Sequence, residues 1–308
     1  MTTHDRPAPD AGDDAIASLE ILKYPRTAHL EGSRLQPGDD DDGHVALATL
    51  DGAHAVIEEK LDGANVAVSF TGGGRMLLQS RGHYLSGGGR ERQFALFKQW
   101  AQAHEAPLLE RLEDRYVMYG EWLYAKHSVS YDHLPHWFCE FDVYDRDEGV
   151  FLSTPRRRAL MAASPVISVP VLSQGPMPRS VKELRALVRP SLAKSAEWSS
   201  AFEAAVRRQG LDLELAWRQT DKSALAEGLY IKVEDADCVL GRYKWVRPDF
   251  VQTILDSGSH HSTRPIIPNG LIDAADIYAP VPLVDWPSPA NAASAHGGAA
   301  ASKTGARR

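Results

Sequence analysis

The residues that could do chemistry are lysines and glutamates placed inside stretches typical of buried strands. Lys60 follows an apolar run and precedes the turn-forming residues 62–65 (DGAN). Glu121 stands within the hydrophobic run YVMYGEWLY, and the run EGLYIKVED contains Glu227 and Lys232. Strands seldom bury such groups without a purpose, because an unpaired buried charge costs free energy. Converging amines and carboxylates of this kind indicate a site for a nucleoside triphosphate.

The Lys60 motif is ambiguous when it is taken alone. Lys-x-Asp-Gly is also the composition of a surface turn, with Asp-Gly supplying a positive-φ position and the lysine reaching toward solvent. The apolar runs on either side of the motif are typical of a hairpin. The motif gains weight because further stretches follow it in a particular order. These stretches are QSRG (79–82), YVMYGEWLY (116–124), WFCEFDVYD (137–145), EGLYIKVED (227–235) and RYKWVRPDF (242–250).

The elements that must position these residues are mostly strands. A helix is predicted over 91–104, where apolar residues recur at near-helical spacing. The segment 155–220 changes character, and its run from Ser180, a plausible N-cap, to Gly210, a plausible stop, predicts helix. Strands on both sides of this helical insert indicate an α+β fold with antiparallel β-sheets and flanking helices. Alternating or apolar runs bounded by turn residues predict the strands at 45–50, 54–60, 64–70, 75–80, 116–123, 137–144, 228–234 and 238–246.

Length and composition bound the folded unit. The chain has 308 residues, of which 43% are apolar and 24% are charged, so a hydrophobic core is expected. The expected organisation is a disordered tail over 1–19, a folded domain over 20–255 that includes the insert 155–220, a short extension over 256–285 and a disordered low-complexity tail over 286–308.

Several features bear on where the protein works. No apolar run is long enough to cross a membrane, and the polar, acidic N-terminus has no signal-peptide pattern. The two cysteines, Cys139 and Cys238, lie in strand-like stretches, so reduced thiols in the cytoplasm are expected. The net charge of −7 argues against non-specific coating of nucleic acid. A local basic cluster nevertheless remains, formed by Arg75, Arg81, Arg90 and Arg92.

The ordered set of motifs resembles the covalent nucleotidyltransferases, the superfamily of ATP-dependent ligases and mRNA capping enzymes, and more closely the RNA ligase family. KLDGAN, with Asn65 where DNA ligases have arginine, is similar to the phage and editing type that seals nicked RNA duplexes. The stretch 120–145 also resembles bacterial proteins of the RNA ligase family. The matching motifs cover about residues 23 to 250. The resemblance implies that 20–255 is a nucleotidyltransferase (adenylation) domain of the ATP-grasp-like ligase type.

The resemblance implies a three-step reaction. Lys60 would attack the α-phosphate of ATP, forming a lysine–AMP phosphoramidate and releasing pyrophosphate. AMP would pass to a 5′-phosphate of RNA, and a 3′-hydroxyl would displace AMP to form the phosphodiester. Because the attacking amine must be neutral, the pKa of Lys60 is expected to fall well below about 10 under the influence of burial, Lys232, Lys244 and a metal ion.

Roles in ATP binding follow from the resemblance position by position. Glu121 matches the glutamate that hydrogen-bonds the ribose, and Phe141 matches the aromatic residue that stacks on adenine, with Phe138 as the alternative. Lys232 matches a phosphate-contacting lysine and Lys244 a lysine that neutralises the transferring phosphate, so both count with Lys60 as catalytic. Glu59 is also expected to contact ATP.

The remaining roles concern the metal and the substrate. Glu227 matches the metal-binding glutamate, whose oxygen ligands suit Mg²⁺ or Mn²⁺. Arg81 matches an arginine that contacts phosphate, both on ATP and on the substrate, and Asn65 an asparagine of the sealing steps. The second cation of the last motif is open between Arg242 and Arg247, of which Arg247 is the candidate for substrate phosphate.

Other interpretations stay open. The chain could be a reduced nucleotide- or RNA-binding module, or a GTP-dependent capping-type guanylyltransferase. The RNA partner could be replaced by DNA or a hybrid, and an accessory protein could supply grip, since the C-terminal segment is too short for an OB barrel. His127, His133 and His136 match no standard zinc spacing. The arginines 156–158 suit either a phosphate or a solvated helix start.

Overall fold

The structure, a computed structural model, describes residues 20–35, 43–250 and 264–287. The tails expected at 1–19 and 286–308 lie outside the described residues, apart from 286–287. None of the helices in the described ranges is long and apolar enough to span a bilayer.

Strands and helices alternate irregularly along the chain. The strands are β1 (Ala28–Leu30), β2 (His44–Val45), β3 (His54–Lys60), β4 (Ala64–Phe70), β5 (Met76–Ser80), β6 (Tyr116–Trp122), β7 (Phe138–Asp145), β8 (Val150–Phe151), β9 (Ile167–Ser168), β10 (Val171–Pro176), β11 (Gly228–Glu234) and β12 (Val239–Val246). The α-helices of the described residues are α1 (Ala95–Ala103), α2 (Glu105–Leu112), α3 (Thr154–Met161), α4 (Val181–Leu187), α5 (Trp198–Arg208) and α6 (Leu213–Arg218). Short 3-10 helices cover Leu47–Leu50 and Gly89–Phe94.

The strands form two six-stranded sheets. The first has the order β10-β3-β11-β12-β1-β2, and the second has the order β5-β4-β6-β7-β8 with β9 beside β7. The long central ladders are antiparallel, and the short strands β1, β2 and β9 add parallel pairs. Helices α1 and α2 bury apolar faces against the second sheet, where Phe97 and Trp100 join its core. The α+β class with antiparallel sheets and flanking helices is confirmed.

The hairpin expected around the Lys60 motif is wrong, because β3 and β4 belong to different sheets. β3 pairs with β10 and β11, whereas β4 pairs with β5 and β6. The chain therefore crosses from one sheet to the other through residues 61–63. Gly63 is required there by a close approach rather than by a positive φ, since a Cβ atom would lie 2.6 Å from the carbonyl oxygen of Trp122.

Two other predictions need correction. The strand expected at 45–50 is only His44–Val45, and a 3-10 turn follows because Leu47 alone of the next four residues is buried. The insert 155–220 is not wholly helical, since a β-branched stretch in its first third forms β9 and β10. The helix after Ser180 ends at Leu187 and a new one begins at Trp198, because Pro190 cannot continue an α-helix.

Candidate active site

A cleft of about 840 Å³ is lined by residues of both sheets. Its lining comes from β3, β11 and β12 of the first sheet and from β4, β6 and β7 of the second, so residues far apart in sequence meet there. The sequence-predicted residues that line it are Glu59, Lys60, Asn65, Arg81, Glu121, Phe141 and Lys244.

Lys60, the last residue of β3, carries a partly exposed amine into this cleft. Its Nζ lies 2.8 Å from Oε1 of Glu227, a buried residue immediately before β11. Burial lowers the pKa of Lys60, but the carboxylates of Glu227 and Glu121 more than offset burial and raise the pKa above its ordinary value. The expected fall is therefore not found, because carboxylates rather than cations are the nearest charges.

Burial acts on the two carboxylates as well. Desolvation raises the pKa of Glu121 to about 8 and that of Glu227 to about 7, and the positive charge of Lys60 partly opposes both shifts. The site thus holds one ammonium beside two acids whose ionisation is poised near neutral pH, as is common where protons or charge must move.

Glu59 connects the end of β3 to the insert 155–220 through hydrogen bonds. Its Oε1 accepts a hydrogen bond from Ser191 Oγ at 2.5 Å, and its Oε2 accepts one from the Leu192 amide at 3.0 Å. Burial raises the pKa of Glu59 to about 6. Its carboxylate is therefore committed to the insert, although the residue still borders the cleft.

The turn after Lys60 is held on its other sides. Asp62 Oδ2 accepts hydrogen bonds from the amides of Ser128 at 2.6 Å and Val129 at 2.8 Å. Glu121 Oε1 accepts one from the Gly63 amide at 2.9 Å. Three anchored neighbours therefore fix the backbone on which the lysine stands.

Phe141 borders the cleft at a bulge of β7. Tyr119 and Gly120 of β6 pair with Asp142 and Glu140, which leaves Phe141 unpaired between them, and such a bulge re-aims a side chain. The ring of Tyr24 meets Phe141 edge-on, with centroids 5.1 Å apart. Phe138, the alternative, is fully buried and stacks on Trp100 at 4.7 Å. The structure therefore places Phe141 rather than Phe138 at the cleft.

Lys232 is not among the residues that line the cleft. It is fully buried, with Nζ 3.0 Å from Glu58 Oε2 and 3.1 Å from Asp142 Oδ1, and it also donates to the carbonyl of Phe141. Arg157 of α3 joins the same network through Glu58 and through Glu140, the latter at 2.6 Å.

Neither candidate for the second cation lines the cleft. Arg247 is buried, pairs with Asp221 and Asp249, and donates from Nε to the carbonyl of Ala226 at 2.8 Å. The Arg242 guanidinium lies over the ring of Phe151 at 3.8 Å. Both arginines contribute to packing in this structure rather than to the cleft.

Glu58, Tyr24 and Tyr230 are among the cleft residues that the sequence analysis did not predict. Glu58 lines the cleft, and its spacing of two from Lys60 on a strand, which puts both side chains on one face, could have revealed it. Tyr24 and Tyr230 also line the cleft, and their hydroxyls meet. Tyr24 carried no usable signal, because it lies outside every predicted element.

His136 and two of the three arginines 156–158 have protein partners in the structure. His136 is buried and its Nδ1 accepts a hydrogen bond from the Phe138 amide at 2.8 Å. Arg157 is buried in ion pairs, and Arg156 pairs with Glu148 at the surface, so this run neither meets the cleft nor is wholly solvated.

A divalent cation fits only in part. Glu227 Oε2 is buried and accepts no hydrogen bond within the described part of the chain, so it offers a hard oxygen ligand. Among the described residues, no three His, Cys, Asp or Glu side chains cluster as a metal site. This donor set suits an ion shared with phosphate oxygens, which is how Mg²⁺ is commonly bound.

Comparison with known proteins gives a family. A model of the RNA ligase family matches residues 53–246. No curated protein matches the chain.

Solved structures of an RNA ligase from Naegleria gruberi are similar to the chain. The structure with PPi is 18% identical with a TM-score of 0.49, and the match covers 82% of this chain and 65% of that chain. A mutant with ATP and Mn is 18% identical with a TM-score of 0.46, covering 78% of this chain and 62% of that chain. An apo mutant is 19% identical with a TM-score of 0.46, covering 78% of this chain and 62% of that chain. The chain spans less than two thirds of those ligases.

Proposed function

Because the chain belongs to the RNA ligase family, we propose that it is an ATP-dependent RNA ligase that works through a lysine–AMP intermediate. The observation that carries the proposal is the amine of Lys60, presented to the cleft beside Glu227, with Phe141 and Lys244 on the same cleft. The proposed reaction uses the amine as nucleophile, the aromatic ring as a platform for the base and the further cation beside the phosphates.

In the first step the Lys60 amine attacks the α-phosphorus of ATP. The nitrogen–phosphorus bond forms as the bond to the bridging oxygen breaks, and pyrophosphate leaves with that electron pair. The ammonium held by Glu227 must first lose a proton to solvent, and weakening of its ion pair with Glu227 would favour that loss. Lys244 and Arg81 provide positive charge for the phosphates on the cleft lining.

The later steps move AMP to RNA and then release it. A 5′-phosphate oxygen attacks the lysine-bound phosphorus and frees the amine, and a 3′-hydroxyl oxygen then attacks the activated 5′-phosphate and expels AMP. Asn65 and Arg81 border the cleft and are the proposed contacts for the RNA phosphate. Lys232 acts from below the cleft, where it holds Glu58 and the Phe141 carbonyl in place.

The other assignments are as follows. Glu121 is the proposed ribose contact and Phe141 the proposed adenine platform. Glu227 would hold Mg²⁺ or Mn²⁺ together with phosphate oxygens, and the ion would neutralise phosphate charge. Arg247 and Glu59 are not proposed to contact ATP or RNA directly, since Arg247 pairs with Asp221 and Glu59 accepts a hydrogen bond from Ser191. The proposed place of work is the cytoplasm, which both free cysteines suit.

The test is joining of a nicked RNA duplex with labelled 5′-phosphate and free 3′-hydroxyl ends. The proposal predicts ATP-dependent sealing that fails with a 5′-hydroxyl end and with the Lys60→Ala variant. All-DNA and hybrid duplexes run in parallel decide which strands are accepted. Lysine adenylylation without sealing on any duplex would contradict a self-sufficient ligase and favour a required accessory protein. Absence of both reactions would favour a nucleotide-binding module.

A further inference from the structure

A buried asparagine of the C-terminal segment 264–287 contacts a loop next to the active site. Asn269 is 2% exposed. Its Oδ1 accepts a hydrogen bond from the Tyr131 amide at 2.9 Å, and its Nδ2 donates to the Leu123 carbonyl at 2.7 Å. Its own amide donates to the Tyr124 carbonyl at 2.8 Å. All three contacts fall on one stretch, residues 123–131, which we call the 123–131 loop.

The 123–131 loop in turn holds the turn that carries the nucleophile. The amides of Ser128 and Val129 donate to Asp62 Oδ2, and the Tyr131 hydroxyl accepts from the Asp62 amide at 2.8 Å. These contacts fall two residues after Lys60. Loops lacking a regular backbone ladder keep their shape through such side-chain bonds, since each buried amide must find a partner.

The contact between the segment and the loop is close as well as polar. The Gly270 amide donates to the Tyr131 carbonyl at 2.9 Å, and a Cβ atom on Gly270 would lie 3.1 Å from the Asp132 carbonyl oxygen. Glu121 and the insert secure other parts of the lysine turn, but Asp62 depends on this loop for both carboxylate contacts shown above.

We propose that Asn269 is a positioning residue for Lys60, acting through the 123–131 loop and Asp62. The expected effect on the rate of lysine adenylylation rests on the proposed function. The expected effect on the structure of the lysine turn does not depend on any activity. The C-terminal segment then has a role inside the catalytic domain: it sets the geometry of lysine adenylylation. A displacement of about 1 Å at a reacting atom can cost about 100-fold in rate, so a buried clamp of this kind affects catalysis directly.

The kinetic test compares Asn269→Ala with Asp273→Ala, a control at an exposed position of the same segment. Single-turnover lysine adenylylation at saturating ATP should be slower by about 10- to 100-fold in Asn269→Ala and unchanged in Asp273→Ala. The KM for ATP and the fraction of protein that finally reacts should stay near wild type. A merely structural role would lower the reacting fraction and leave the rate of the folded molecules intact, which would overturn the proposal.

A second variant covers the case in which Asn269→Ala does not fold. Tyr131→Phe removes only the hydroxyl that accepts from Asp62, and it should slow the same step. In the double variant the two effects should fall short of their product, because both act along one path. Full multiplication of the effects would contradict that path.

Hydrogen exchange provides the test that needs no activity. Asn269→Ala should increase exchange in peptides covering 61–65 and 126–131, whereas Asp273→Ala should not. Unchanged exchange over 61–65 would overturn the inference even in an active enzyme. If wild-type protein forms no lysine–AMP, the proposed function fails, and the exchange result still decides whether Asn269 positions the turn.

Discussion

At the scale of single residues, the state of Lys60 is decided by competition between burial and neighbouring charge. Burial alone would favour the neutral amine, but Glu227 at 2.8 Å and Glu121 stabilise the ammonium. The proposed nucleophile is therefore held as a cation in an ion pair. In the proposed reaction this ion pair must be broken before the amine can attack, so we expect Glu227 to influence the reactivity of Lys60.

Glu59, next to Lys60, gives a prediction about pH and stability. Its buried carboxyl has a pKa of about 6 in the folded state against an ordinary value of 4.5. The folded state thus favours the protonated acid, and the free energy of unfolding falls as pH rises through this window. In Glu59→Gln this group does not titrate, so the free energy of unfolding should not fall for this reason. The glutamine amide can still donate to Ser191 Oγ and accept from the Leu192 amide.

The measurement is urea unfolding of wild type and Glu59→Gln across the window. The free energy of unfolding of wild type, relative to that of the variant, should fall by about 2 kcal/mol as pH rises from below 4.5 to above about 6. A difference that is constant with pH, or that grows in favour of wild type, would contradict the assignment of a buried, raised-pKa carboxyl.

At the scale of elements, β7 serves two environments. Phe138 packs between Trp100 and Phe97 of α1, and Gly120 opposite leaves room for its ring. The bulge further along puts Phe141 at the cleft. One strand therefore joins the core of the second sheet to the proposed adenine platform.

The two phenylalanines predict opposite phenotypes. Phe141→Ala should raise the KM for ATP by about 10- to 100-fold with little change in stability, because it removes stacking on a base. Phe138→Ala should lower the free energy of unfolding by about 3 to 5 kcal/mol through a core cavity. Steady-state kinetics and urea unfolding of both variants check this, and a normal ATP KM in Phe141→Ala would remove it from the nucleotide site.

At the scale of the whole molecule, the two sheets are joined beneath the cleft by buried charge. Arg157 pairs with Glu58 of the first sheet and Glu140 of the second, and Lys232 bridges Glu58 and Asp142 in the same way. Glu58 also lines the cleft, so we expect the relative placement of the two sides of the cleft to depend on these pairs.

Neighbouring arginines provide a matched test of this network. Arg157→Met leaves buried carboxylates without their partner and should cost about 3 to 5 kcal/mol of stability. Arg156→Met removes a surface pair with Glu148 and should cost less than about 1 kcal/mol. Thermal or urea unfolding of the two variants measures the contrast, and equal small losses would show that the network does not hold the sheets together.

Some features of the whole molecule could be predicted from the sequence, and others could not. Strands such as 54–60 and 64–70 were predictable because their apolar runs end at clear turn residues. The ordered motifs also identified Lys60, Glu121 and Phe141, which line the cleft. The crossing between sheets at 61–63 was not predictable, because a turn signal does not say which strand will pair.

Other features depended on contacts that are distant in sequence. Arg247 belongs to a motif but forms an ion pair with Asp221. Tyr24 lies outside every predicted element but donates a hydrogen bond to Asp142 in the fold. The raised pKa of Lys60 also required the observed approach of Glu227. Such pairings are set by tertiary packing, which local residue patterns do not encode.

The most direct measurement is formation of a covalent adduct with α-labelled ATP or GTP and Mg²⁺ or Mn²⁺, resolved on denaturing gels. We expect an acid-labile, ATP-specific adduct that disappears in Lys60→Ala. Lys98→Arg is the matched control, since Lys98 is comparably exposed and also pairs with a glutamate, Glu91. That variant should keep the adduct. A GTP-specific adduct would move the protein to capping chemistry, and an adduct that persists without Lys60, or none from folded wild type, would contradict the central claim.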